Sequence, residues 1–117
     1  EVEHIDAPDA VLATYESWVV DLVASRGALM YAGPVLDQMH ERRWRRRASD
    51  LVIWPVPVAR AAAMYRMNLE VWRHDPHVVA TRRPAEVDDL ARGLDALTVD
   101  GTGTVEWGIR HVVLEVT

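Results

Sequence analysis

The sequence predicts a small α+β domain, with N-terminal helices at about 8–26 and 34–47 followed by a mostly antiparallel sheet covered by a helix at about 84–97. Three observations support this. Apolar residues recur at helical spacing in the first part and again late in the chain. Between and after these stretches lie β-branched runs and Gly/Pro punctuation. Half of the 117 residues are apolar or aromatic, enough for one core and too few for two, so the whole of 1–117 is read as one domain.

In the first helix Val11, Leu12, Tyr15, Trp18, Val19, Leu22 and Val23 form one face. Asp6 or Asp9 can accept from the free amides of its first turn, Pro8 suits a position that needs no amide, and Gly27 permits a left-handed exit. Gly33-Pro34 opens the second predicted helix. Its stripe of Val35, Leu36 and Met39 continues into Arg42, Arg43, Arg46 and Arg47, so an apolar face becomes a cationic one. Leu51 to Val58 is β-branched and interrupted by Pro55 and Pro57. It reads as an edge strand or extended connector, because Pro cannot donate to a ladder.

The stretch from Ala59 to Trp72 carries two signals. Ala59 to Ala63 favours helix, whereas Tyr65, Met67, Leu69 and Val71 alternate with polar residues, so a short helix leading into a strand at about 64–72 is expected. His74-Asp75-Pro76 reads as a turn and His77 to Thr81 as a short strand. Pro84 then starts a helix with Val87, Leu90, Ala91, Leu94 and Leu97 on one side, and Gly101-Thr102-Gly103 reads as a hairpin turn before strands ending near Val116.

Composition narrows the chemistry. There is no Cys, which excludes disulfides, thiolate nucleophiles and thiolate-bound metals. No apolar run is long enough to cross a bilayer and no leader is evident, so a soluble protein without a membrane partner is expected, cytoplasmic or part of a soluble assembly such as a virion. The net charge of −5 conceals an asymmetry. Five arginines fall within 42–47, leaving eight Arg against eighteen acidic residues elsewhere. Such an acidic remainder argues against a surface built to track a nucleic-acid backbone, while leaving a local contact open.

The candidate binding residues are therefore Arg42, Arg43, Trp44, Arg45, Arg46 and Arg47. Clustered guanidinium groups pair with carboxylates or phosphates, and Trp44 can stack on or insert into a partner. The plain alternative is an Arg-rich last helical turn that caps carbonyls. The expected partner is an acidic protein surface or a second copy of this chain, with nucleic acid as the alternative. No catalytic residue, metal ligand set or cofactor is assigned. Glu70, His74 and His77 form only a weak metal pattern, and Asp37 with His40 only an ordinary helix-surface pair. Ser17, Ser25 and Ser49 lack a nucleophile-elbow context, and Gly101-Thr102-Gly103 lacks the lysine of a phosphate loop. Trp18, Trp72 and Trp107 are expected in the core and Trp54 at the surface.

The order of Tyr65 to Trp72, the Pro84 to Leu97 helix and terminal strands resembles small tail-terminator or tail-completion proteins of tailed phages over about half the chain, by pattern rather than motif. A strand, Pro-Ala-Glu helix and strand also resemble small immunity proteins. The Arg42–Arg47 cluster on an otherwise acidic chain points to a non-enzymatic interaction or assembly domain, with a tail-terminator-like structural protein as one form of it. The alternatives are a nucleic-acid-binding regulator using the same arginines, and a small immunity-type protein or small enzyme with a His/carboxylate site.

Overall fold

The computed structural model describes residues 2–6, 9–27 and 44–116. In chain order these form β1 (Val2–Asp6), α1 (Ala10–Ser25), β2 (Trp44–Pro57), α2 (Val58–Trp72), α3 (Pro76–Thr81), α4 (Pro84–Asp100) and β3 (Thr104–Val116). The strands make an antiparallel sheet in the order β1-β3-β2. The class is α+β, as the sequence predicts.

Local chemistry sets the helix ends. Asp9 caps α1 by accepting from the Val11 amide at 2.7 Å, and Gly27 leaves the helix at φ 72°, a conformation that favours glycine. Asp75 caps α3 by accepting from the His77 amide at 2.9 Å, with Pro76 in the first turn. In α4, Pro84 occupies the first turn and Glu86 accepts from Arg83 Nε at 2.8 Å.

Four helices supply most of the core. Leu12, Tyr15, Trp18 and Leu22 of α1 meet Val58, Ala61, Ala62, Tyr65 and Leu69 of α2, together with Val78 of α3 and Val87, Leu90, Ala91 and Leu94 of α4. From the sheet, Val105 is fully buried, with Ile5, Val56 and Trp107 packed against the same cluster. The Tyr15 and Tyr65 rings stack with centroids 4.2 Å apart, and Trp72 tilts against Tyr15. Burial pushes the Tyr65 hydroxyl up to about 12; the neighbouring Trp107 indole works against the shift without reaching hydrogen-bond geometry. The Val58 amide donates to Gly103 O at 3.0 Å and ties the start of α2 to the residue before β3.

Several elements depart from the sequence prediction. The predicted strand at 64–72 is the second half of α2, because Val58, Ala61, Ala62, Tyr65, Leu69 and Trp72 form one inward helical face. The apparent alternation came from Met67 and Val71, two apolar residues on the solvent side. His77 to Thr81 is helix rather than strand, since Asp75 and Pro76 start a turn of helix. Gly101 to Gly103 connects α4 to β3 and is not a hairpin turn, and β3 is one continuous strand. The predicted helix at 34–47 lies outside the described residues up to 43, and from Trp44 onward the chain is strand.

Candidate interaction surface

β2 and β3 are paired from Trp44↔Val116 at one end to Pro57↔Thr104 at the other, with a register shift between Arg46 and Ala48. A strand of this length spans roughly 45 Å. β1 flanks β3 only from Glu106 to Ile109. Beyond that point, among the described residues, β2 and β3 form a two-stranded ribbon. β2 lies at the sheet edge, which explains how Pro55 and Pro57 are tolerated: two residues apart, their missing amides fall on the same open side.

Of the candidate residues, Trp44, Arg45, Arg46 and Arg47 open β2, at the end of the ribbon farthest from the helices. Arg42 and Arg43 lie outside the described residues. From Trp44 onward the expected helix is replaced by strand: the apolar β-branched run that follows pairs with β3, and the ladder carries Arg45, Arg46 and Arg47 into β2. Arg45 is opposite Glu115 and Arg46 opposite Leu114, while the register shift falls at Arg47.

Next along β2 comes an apolar surface. Leu51, Val52, Ile53 and Trp54 are all exposed, Trp54 by 57%, and across the ribbon Val113 is exposed by 58%. Because Val56, Val105 and Trp107 pack on the core, Trp54, Val52 and Val113 belong to the helix-side face by register. Leu51, Ile53 and Glu106 belong to the outer face. Both faces of the ribbon are therefore apolar along the same stretch. Trp54 is at the surface and Trp18 is buried, while Trp72 and Trp107 pack on the core, as the sequence predicts.

The polar groups of the body are engaged with one another. Arg66 donates to Glu70 at 2.5 Å and to Asp95 at 3.0 Å, and Arg73 donates to Glu70 at 2.8 Å and to Asp88 at 2.6 Å. These arginines hold the Glu70 carboxyl below the usual carboxylate range. His77 Nε2 lies 2.8 Å from Asp21, with Arg82 3.7 Å from the same carboxylate and stacked over Trp18. Glu70, His74 and His77 are thus not brought together as ligands. Among the described residues, no three His, Asp or Glu side chains are grouped to hold a metal ion. Asp37 and His40 lie outside the described residues.

Two shallow depressions border the helices. One of about 330 Å³ lies between α1 and α4, lined by Val11, Trp18 and Leu90 with Glu86 and Asp89 at its rim. The other, of about 230 Å³, includes Arg73 and Arg82, whose guanidinium groups already face carboxylates. No described helix is long and apolar enough to cross a membrane. Comparison of the chain with protein-family models, curated proteins and solved structures returns no match.

Proposed function

We propose that this chain is a non-enzymatic interaction or assembly domain that engages an acidic protein surface or another copy of itself through the Arg42–Arg47 segment and the ribbon it enters. One observation carries the reading. On a single element, the arginines at 45–47 are followed, after Ala48, Ser49 and Asp50, by four consecutive exposed apolar residues, Leu51 to Trp54. An exposed apolar patch rimmed by charge has the composition of a protein contact, and arginine and tryptophan are the residues most often found at its energetic centre. The rest of the chain is acidic, which favours partners of like composition.

The test is charge reversal at Arg43, Arg46 and Arg47 to Glu. Light scattering and identification of co-purifying chains are expected to show a complex that the triple variant loses while its circular dichroism is unchanged. Equal complexes from both proteins would remove the reading.

A second reading, nucleic-acid binding, draws on the geometry of the same element: a two-stranded antiparallel ribbon fits the DNA major groove, and arginines on it can reach phosphates or guanine edges. It predicts retardation of duplex DNA at low salt that falls steeply as salt rises. No retardation at low salt excludes it.

A further inference from the structure

Building on the interaction reading above, we infer that the open backbone edge of β2 from Ala48 to Trp54 is a strand-addition site. Its occupant is the same segment of a second copy, laid antiparallel about a two-fold axis at Leu51.

In an antiparallel ladder the N–H and C=O of one residue point to the same side, and that side alternates along the strand. The Val58 amide donates to Gly103 O at 3.0 Å, in register with Pro57↔Thr104, so position 58 faces β3. Positions 56, 54, 52 and 50 share that parity and face β3 too, along an unbroken register. Pro57 and Pro55 face away from it, and so do Ile53, Leu51 and Ser49. Because β2 is an outer strand of the order β1-β3-β2, the donors and carbonyls of these last three residues have no ladder partner among the described residues.

Edge strands are ordinarily guarded by proline, by basic side chains or by a bulge. β2 has all three, at Pro55 and Pro57, at Arg45 to Arg47 and at the register shift between Arg46 and Ala48. These guards bracket the strand. The segment between them, Ala48 to Trp54, contains no proline, and Asp50 is its one charge. Its consecutive apolar residues, Leu51 to Trp54, are all exposed, although such a run is the pattern of an inner strand.

The same features select the occupant. An added strand must supply free donors at alternate residues and apolar side chains on both faces. β1 does not, since Glu3, His4 and Asp6 stand among its five residues. β2 of a second copy does. A two-fold axis at Leu51 pairs Leu51 with Leu51 and Ser49 with Ile53 of the other copy, all of them outward-facing, for about six hydrogen bonds. The prolines fall just beyond the last pair. The arginine-bearing start of each β2 then comes to the end of the other copy where Pro55 is opposite Glu106, which is exposed and has no ion pair among the described residues. One contact uses both open edges and closes the assembly at two chains. It also brings the two Asp50 residues to neighbouring positions on one face, so the dimer is weak and concentration-dependent.

Sedimentation velocity of the whole chain, from low to high micromolar concentration, is expected to show monomer passing into dimer. Leu51→Pro should abolish the dimer and leave the β2–β3 ladder its bonds, because position 51 faces the same side as Pro55 and Pro57; circular dichroism checks the fold. Leu51→Thr keeps the amide and the strand preference, and should dimerise to within about threefold of wild type. Amide exchange of the wild type, followed by NMR, decides the matter even if the proline variant fails to fold. The Ser49, Leu51 and Ile53 amides should slow by about tenfold or more between dilute and concentrated samples, while those of Val52 and Trp54 are protected in both. A wild type that stays monomeric, a dimer that survives Leu51→Pro, a Leu51→Thr variant as impaired as the proline one, or exchange at 49, 51 and 53 indifferent to concentration overturns the inference. If the wild type is monomeric but an Arg-dependent complex with another protein persists, the interaction reading stands and only the second copy is excluded as partner. If neither forms, both fall.

Discussion

Leu69 in α2 is fully buried, whereas Leu51, in the strand that leads directly into that helix, is 42% exposed. The same contrast divides the molecule. In the helical body the apolar faces of α1, α2 and α4 converge on one cluster, and surplus charge is matched in ion pairs such as Arg73 with Glu70 and Asp88. In the ribbon, apolar residues lie on both faces. The body buries its apolar faces and leaves Met67, Val71, Val79 and Val99 exposed one at a time, while the ribbon exposes four apolar residues in a row. Stability and interaction are therefore assigned to different regions, and substitutions should separate them.

The largest separation is expected from truncating leucines. Leu94→Ala, at a fully buried position, should cost about 2–5 kcal/mol in urea unfolding, and Leu51→Ala below about 1 kcal/mol. Equal losses would erase the distinction between the regions. Next is the joint between them. A Cβ at Gly101 would collide with the Leu97 carbonyl oxygen and lie 2.9 Å from Val58 Cγ1, so Gly101→Ala should cost roughly 1–3 kcal/mol. Gly103, at φ 82° with open space around it, should cost about 1 kcal/mol on the same change, from backbone strain alone.

Titration sharpens the comparison further. Burial raises the Tyr65 hydroxyl from 10.0 to about 12, so the stability tied to its neutral form is fully present below pH 10 and is lost as pH rises toward 12. The urea midpoint should fall over that window in the wild type and less in Tyr65→Phe. The smallest effect lies at acid pH. Glu70 beside Arg66 and Arg73, and Glu86 beside Arg83, have carboxyls held below their usual range. The stability they add is present above the ordinary carboxylate range and is lost as pH falls through the lowered values. Glu70→Gln should slightly flatten the acid side of the stability profile, and both groups are surface pairs of small effect.

What the sequence revealed depends on how local the cause was. The helices near 8–26 and 84–97 were legible because their faces repeat at three and four residues and because Asp9, Gly27 and Pro84 mark their ends. α2 was misread beyond Met64 because Met67 and Val71 place apolar side chains on the solvent side and mimic alternation. β1 gave no signal: the irregularity between Val2 and His4 places Val2 and Ile5 on the same face although they are three apart, which hides the period of two. The strand from Trp44 to Asp50 was hidden for another reason. Its partner, His111 to Val116, is distant in sequence, and no local pattern announces that pairing. The arginine cluster and the exposed Trp54 could be read directly, since they are facts of composition and of a Pro-interrupted run. The ribbon that carries them could not.

The sheet order also has a consequence in time. β3 is the middle strand, and β1 and β2 pair with it and not with each other. As the chain emerges from the ribosome, α1, α2, α3 and α4 can all form before either earlier strand has a partner to zip onto. Until β3 arrives, Leu51 to Trp54 travel as an unpaired, sticky segment. Closing the sheet is thus a late, long-range event, of the kind that slows refolding and opens a window for aggregation.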